Sequence, residues 1–196
     1  MKLPRLAALA ALVFGASFAL AGEPVLKSDF SAPGLPEGWS SLKGEWKVVD
    51  GALVGAELAA DKHAAVFSIP DRHMDSVLRF RFRIDGAKGF HLSYNHSKGH
   101  LFRIRYADGV ASLATDKDKK DPASKAETLA TATVTAKPGE WIEVTCETQG
   151  NQVKVNFGGA TLSGTHESLA KEKTGYRFVV QGASVAFDDV AFTSSK

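Results

Sequence analysis

The chain has 196 residues, of which 44% are hydrophobic and 23% charged, with a formal net charge of +2 and one cysteine. Removing Lys2 and Arg5, which lie in a predicted signal peptide, leaves 22 basic residues against 22 acidic ones, a balance that disfavours a general nucleic-acid or anionic-membrane binder. Cys146 has no second cysteine to pair with, so the fold must depend on its core, in which we expect Cys146 to be a small buried side chain.

The first 21 residues are typical of a signal peptide. Lys2 and Arg5 begin it, residues 6–20 are almost wholly apolar, and Ala19-Leu20-Ala21 is a small-x-small cleavage signal. The apolar run is too short for a stable transmembrane span. We therefore predict that residues 1–21 are removed and that the protein is exported, to a periplasm or outside the cell, without membrane insertion.

Residues 22–196 are enough for one domain, and they show strand and turn patterns almost throughout. In chain order the predicted strands are the hairpin 46–55 around Asp50-Gly51, then 64–69, 77–84, 90–95, 101–106, 110–114, 141–148, 152–157, 176–181 and 184–192. Residues 115–126 are interpreted as a solvated loop or as the rim of a binding cleft, and 168–173 as one possible helical turn. Many short antiparallel strands predict an all-β, two-sheet jelly-roll sandwich.

Six of the eight arginines occupy alternate positions of these strands, opposite an aromatic and aliphatic face. If the strands 77–84, 90–95 and 101–106 are neighbours, one polar face carries Arg79, Arg81, Arg83, His91, Ser93, Asn95, Arg103 and Arg105, and strand 176–181 adds Arg177 and Gln181. Such donors suit a sugar, a sugar acid or another oxygen-rich anion. The alternative is an ordinary solvent face on which arginine stems cover apolar surface.

Two histidines are candidates for a general acid or base, because His63 and His91 both lie by the presumed cleft. No carboxylate pair of the ordinary glycosidase kind is present, since Glu143 and Glu147 are better explained as part of a solvent face. No cofactor is expected.

The histidine spacings predict no metal site. A structural calcium ion held by Asp29, Asp188 and Asp189 is a weaker alternative to a polar strand edge.

Four segments carry a family resemblance: Ser28-Asp29-Phe30, residues 35–39, residues 44–53 and the ending 185–190. They resemble the concanavalin A/laminin G-like jelly rolls of the 3-keto-disaccharide hydrolase type, a family of exported bacterial proteins. The resemblance implies a concave sheet that binds a saccharide and cleavage of glycosides oxidised at C3. Elimination next to a 3-keto group needs a base and an oxyanion stabiliser rather than two carboxylates.

The sequence thus supports an exported carbohydrate-active protein, with His91 or His63 as base and the polar face as substrate clamp. The alternatives are a carbohydrate-binding module without catalysis and an exported structural or partner-binding domain. The fold by itself does not decide among them.

Overall fold

The computed structural model describes residues 22–97, 99–118 and 120–196. The predicted signal peptide, residues 1–21, lies outside the described residues. Within the described ranges no helix is both long and apolar enough to cross a membrane.

The described residues form thirteen strands and two short 3₁₀ turns. The strands are β1 (Val25–Ser28), β2 (Ser40–Lys43), β3 (Glu45–Val49), β4 (Ala52–Ala56), β5 (Ala65–His73), β6 (Asp75–His96), β7 (Gly99–Ala107), β8 (Val110–Thr115), β9 (Thr128–Thr133), β10 (Ile142–Gln149), β11 (Gln152–Phe157), β12 (Ala160–Thr165) and β13 (Lys173–Ser195). The 3₁₀ turns are Ala59–Asp61 and Glu167–Ala170.

The two longest strands, β6 and β13, pair with each other and fold back as one ribbon. Phe178 and Phe187 are nine residues apart on β13, a separation of about 30 Å in a straight strand. Their rings instead stack with centroids 4.2 Å apart. Phe82 and Phe90 on β6 likewise approach to 4.6 Å. The ribbon therefore bends until its two halves face each other across a shared core.

Glycines form the corner of this ribbon. Gly86 has φ 90° and Gly182 has φ 86°, a backbone region that side chains with a Cβ rarely adopt. The pairing register of β13 with β6 shifts on both sides of Gly182, as expected where bulges turn a strand pair.

The bend divides the strands between two sheets. In the back sheet the order is β12, β11, β10, the first half of β6, the second half of β13, β4 and β3, with β1 also on β13. In the front sheet the order is β9, β8, β7, the second half of β6, the first half of β13, β5 and β2. The prediction of a two-sheet antiparallel sandwich is confirmed.

The core lies between the sheets and is rich in aromatic rings. Phe80, Phe82 and Phe187 enter it from the back sheet, and Phe90 and Phe178 enter it from the front sheet. Strand alternation explains the pattern, because every second residue of these strands is apolar and faces inward.

Cys146 is fully buried in the core, and burial raises the pKa of its thiol to about 12, so the prediction of a small buried side chain is confirmed.

Several local predictions hold and one does not. The Asp50-Gly51 turn has both φ angles positive, at 50° and 73°, as a type I′ turn requires. The predicted strands 77–84 and 90–95 are not two neighbouring strands, however, but two parts of the single bent strand β6. Strands β1, β2, β9 and β12 were missed because their residues are mostly exposed or half-buried and lack a strong apolar alternation.

Replacing Phe187 with alanine should destabilise the fold strongly, because its buried ring joins the two halves of the ribbon. We expect a loss of about 3–5 kcal/mol in the free energy of unfolding, measured by urea denaturation. The control is Val49→Ala at an exposed strand position, which should change stability by about 0.5 kcal/mol or less. Equal effects of the two substitutions would contradict the packing described.

Candidate functional site

The outward side of the front sheet, here called the front face, gathers polar side chains from three adjacent strands. The pairing register places Arg177 of β13 opposite Ser93 of β6, and Ser93 opposite Arg103 of β7. Along the next rung His91 lies opposite Arg105. These side chains are therefore neighbours on one surface.

The middle of the front face is largely buried. His91, Ser93 and Asn95 point away from the core, yet their exposed fractions are 9%, 0% and 5%. Arg103 and Arg177 are half-buried, and Arg105 is exposed. The arrangement is a polar floor bordered by arginine side chains.

A hydrogen-bond network holds one end of this floor. His100 Nδ1 lies 2.5 Å from Ser93 Oγ and 2.6 Å from Asn95 Oδ1, and Ser93 Oγ also donates to Asn95 Oδ1 at 3.2 Å. The Asn95 amide donates to the carbonyl of Gly175 at 3.4 Å, on the adjacent strand. Since an amide oxygen only accepts, His100 carries its proton on Nδ1. Residue spacing alone did not assign His100 to the site.

His91 is neutral at physiological pH. Its pKa is lowered from 6.5 to about 3, mainly by burial and in addition by the positive charges of Arg103, His100 and Arg105. A neutral imidazole offers one hydrogen-bond donor and one acceptor, which is the pairing that a sugar hydroxyl requires.

The arginines of the front face differ in their partners. Arg103 donates to both carboxylate oxygens of Asp116, with Nε 2.7 Å from Oδ2. Among the described residues no ion pair joins Arg105 or Arg177 to a carboxylate. Asp116 begins the loop that precedes β9 and also lines a cavity of about 670 Å³ between that loop and the 3₁₀ turn Glu167–Ala170. The loop therefore lies beside the front face.

The other three predicted arginines lie on the opposite surface of the molecule, the back face. Arg79, Arg81 and Arg83 belong to the first half of β6, whose inward neighbours Phe80 and Phe82 contact the front-sheet rings across the core. The expectation of one shared arginine face is corrected, because the bend in β6 sends its two outward surfaces in opposite directions.

Each back-face arginine has an acidic partner. Arg81 pairs with Asp188 at 2.5 Å and with Asp189 at 3.0 Å, and Asp188 raises the pKa of the Arg81 guanidinium. Arg83 pairs with Asp85 at 3.0 Å.

The back face also has an aromatic residue and open cavities. Arg81 and Arg83 both lie 4.9 Å from the ring centroid of Trp141. Two cavities of about 410 and 350 Å³ adjoin this cluster and share Glu143 and Thr145 in their walls. The remaining arginine, Arg79, makes a 3.2 Å contact with exposed Glu23.

Two further predicted residues lie near the corner of the ribbon. His63 is exposed in the loop before β5, its Nδ1 is 2.7 Å from the Ala64 carbonyl, and it borders a cavity of about 600 Å³ together with Gly182. Gln181 is exposed opposite Gly89. In the part of the chain that the structure describes, no hydrogen bond or ring contact joins His63 to His91.

The carboxylates considered for calcium have other partners. Asp188 and Asp189 bind Arg81, and Asp29 accepts hydrogen bonds from the backbone and hydroxyl of Ser31 at 3.0 and 2.7 Å. Across residues 22–97, 99–118 and 120–196, no group of three or more His, Cys, Asp or Glu residues is placed to hold a metal ion.

No protein-family model and no curated protein matches the chain. Solved structures share its fold. Carbohydrate-binding module CBM66 from Bacillus subtilis superimposes with a TM-score of 0.64 at 13% identity, over 80% of this chain and 96% of that one. A Bacillus subtilis protein of unknown function with a galectin-like fold gives 0.63 at 12% identity, over 88% and 96%. A candidate glycosyl hydrolase from Parabacteroides distasonis gives 0.56 at 16% identity, over 81% and 89%.

At these identities the likeness concerns architecture. The chain has the antiparallel jelly-roll sandwich fold that carbohydrate-binding and galectin-like proteins share. The fold that the family resemblance implied is thereby confirmed.

The buried imidazole of His91 should make stability depend on pH. Its folded pKa of about 3 lies below the ordinary 6.5, so the unfolded chain binds a proton first, and the stabilisation present above pH 6.5 is lost as pH falls towards 3. Relative to His91→Gln, wild type should lose about 2 kcal/mol of unfolding free energy between about pH 7 and about pH 5. Urea denaturation of both proteins across this range measures the difference, and a difference that stays constant would argue against a buried neutral His91.

Proposed function

We propose that the protein is an exported saccharide-binding protein and that the front face is its binding surface. The observation that carries the proposal is the buried polar floor, where a neutral imidazole, a hydroxyl and an amide lie between arginine side chains. A saccharide presents closely spaced hydroxyl and ring oxygens, and these need donors and acceptors held in fixed positions.

The described contacts suit such a ligand. The network of Ser93, Asn95 and His100 orients the floor groups before a ligand arrives, which lowers the ordering cost of binding. Arg105 and Arg177 have no carboxylate partner among the described residues, so their guanidinium groups are available to ligand oxygens. The structural likeness to a carbohydrate-binding module supports the proposal at the level of architecture.

A second candidate function is cleavage of 3-keto-glycosides. One observation favours it, because His91 is a neutral imidazole adjacent to the cationic Arg105. His91 could accept the C2 proton, and Arg105 could stabilise the enolate oxygen. The same geometry limits it, since a base with a pKa of about 3 accepts a proton poorly near neutral pH. Binding without catalysis is therefore the function that the geometry supports better.

Substitution of the front-face arginines should weaken saccharide binding. With a saccharide found by screening a glycan panel, we expect Arg105→Ala and Arg177→Ala each to raise the dissociation constant roughly 10-fold or more, as for the loss of a charge-assisted hydrogen bond. Isothermal titration calorimetry measures the change. Arg79→Ala is the matched control, because it removes an arginine from the back face. If all three variants bind like wild type, the front face is not the binding surface.

A turnover assay separates the two candidate functions. Because the His91 pKa is about 3, we expect the purified protein to release no aglycone from a 3-keto-glucoside above the buffer rate near neutral pH. Release that is present in wild type and absent in His91→Ala would instead establish the enzyme.

A further inference from the structure

We propose that the front face is selective for saccharides that carry a carboxylate group, such as uronic acids. The inference rests on the proposed saccharide binding and adds the chemical class of the ligand. It follows from the unequal distribution of acidic residues between the two outer faces of the sandwich.

Arginines occur on both faces, but their environments differ in charge. On the back face Arg79, Arg81 and Arg83 each have a carboxylate within 3.2 Å. Those ion pairs leave little positive charge for a ligand, and the arginines are accounted for by the structure itself.

On the front face not every arginine forms an ion pair with an acidic residue. At the centre of this face, Asp116 is bound by Arg103 through two hydrogen bonds, and at the edge Glu172 pairs with Arg72. Within the described ranges, Arg105 and Arg177 have no such partner. The face therefore carries two positive charges without counter-ions of its own, although the chain after the predicted signal peptide is close to neutral.

The residues directly opposite Arg105 and Arg177 on the neighbouring strands carry no charge, so they do not neutralise the two guanidinium groups. The direct cross-strand neighbours of Arg177 are Ser68 and Ser93. Those of Arg105 are His91 and Ser112. Burial, together with the proximity of Arg103 and Arg105, keeps His91 from gaining a further charge. A bound carboxylate would meet donors and cations in this region, where the nearby Asp116 is already paired with Arg103.

The spacing suits one ligand bound by both arginines. Arg177 on β13 and Arg105 on β7 lie on either side of β6 and are offset by two residues along the strands. This places their Cα atoms about 12 Å from each other. Two arginine side chains can converge on a ligand between them, above His91 and Ser93. A carboxylate can accept two parallel hydrogen bonds from one guanidinium, while the second arginine and the floor bind sugar hydroxyls.

The test compares pairs of oligosaccharides in which the carboxyl group is either free and charged or esterified and neutral. Galacturonate, glucuronate and mannuronate oligomers are each titrated against their fully methyl-esterified forms, which keep the same backbone and hydroxyl groups. We expect at least one uronate to bind 10-fold or more tighter than its ester, with an affinity that falls as salt is raised. Arg105→Gln and Arg177→Gln should each reduce this ratio at least fivefold, whereas Arg79→Gln should leave it unchanged.

The outcomes separate this inference from the proposed function. Equal affinity for a uronate and its ester, or binding of neutral glycans alone, would overturn the charge selectivity and leave saccharide binding intact. Binding of none of the acidic or neutral glycans would overturn both. Thermal unfolding of each variant identifies misfolding. Arg177→Lys provides a second test, because lysine keeps the positive charge but lacks the planar guanidinium group. This variant should bind more weakly and retain the salt dependence.

Discussion

The fold-back of the β6–β13 ribbon is the constraint on which the rest of the structure depends. Two antiparallel strands of more than twenty residues each bend at glycines, and the rings of Phe178 and Phe187 stack across the resulting core. Each half of the ribbon then forms the centre of one sheet. The remaining strands add to its edges, so the packing of a few aromatic rings sets the positions of both outer faces.

The same bend decides which polar residues can act together. Outward residues before the corner belong to the back face, and outward residues after it belong to the front face. Arg81 and Arg83 are thus held by acidic residues and by Trp141, and they reinforce the back sheet. Arg105 and Arg177 lie on the other surface beside the buried His91, and no ion pair among the described residues joins either of them to a carboxylate.

Burial, rather than charge, controls the chemistry of the front face. His91 remains neutral because the fold removes it from water, and the neighbouring arginines act in the same direction. A group so perturbed is a weak base but a good hydrogen-bonding partner for hydroxyls. This property favours binding over proton abstraction, even though the jelly-roll architecture is compatible with either.

The sequence by itself determined the all-β class, most central strands, the Asp50-Gly51 turn and the alternation of arginines with core aromatics, because these are local properties of residue spacing. It also indicated that His91, Ser93 and Asn95 would share a face with Arg103 and Arg105 if their strands were neighbours, which β6 and β7 are.

Only the tertiary structure decided that residues 77–84 and 90–95 face opposite ways, and that His63 and Gln181 lie near the corner of the ribbon. It also decided which arginines have acidic partners, because Asp188 and Asp189 are more than a hundred residues from Arg81 in the chain. Strand periodicity sets which side of a strand a residue occupies, but a bend and long-range pairing set what that side faces.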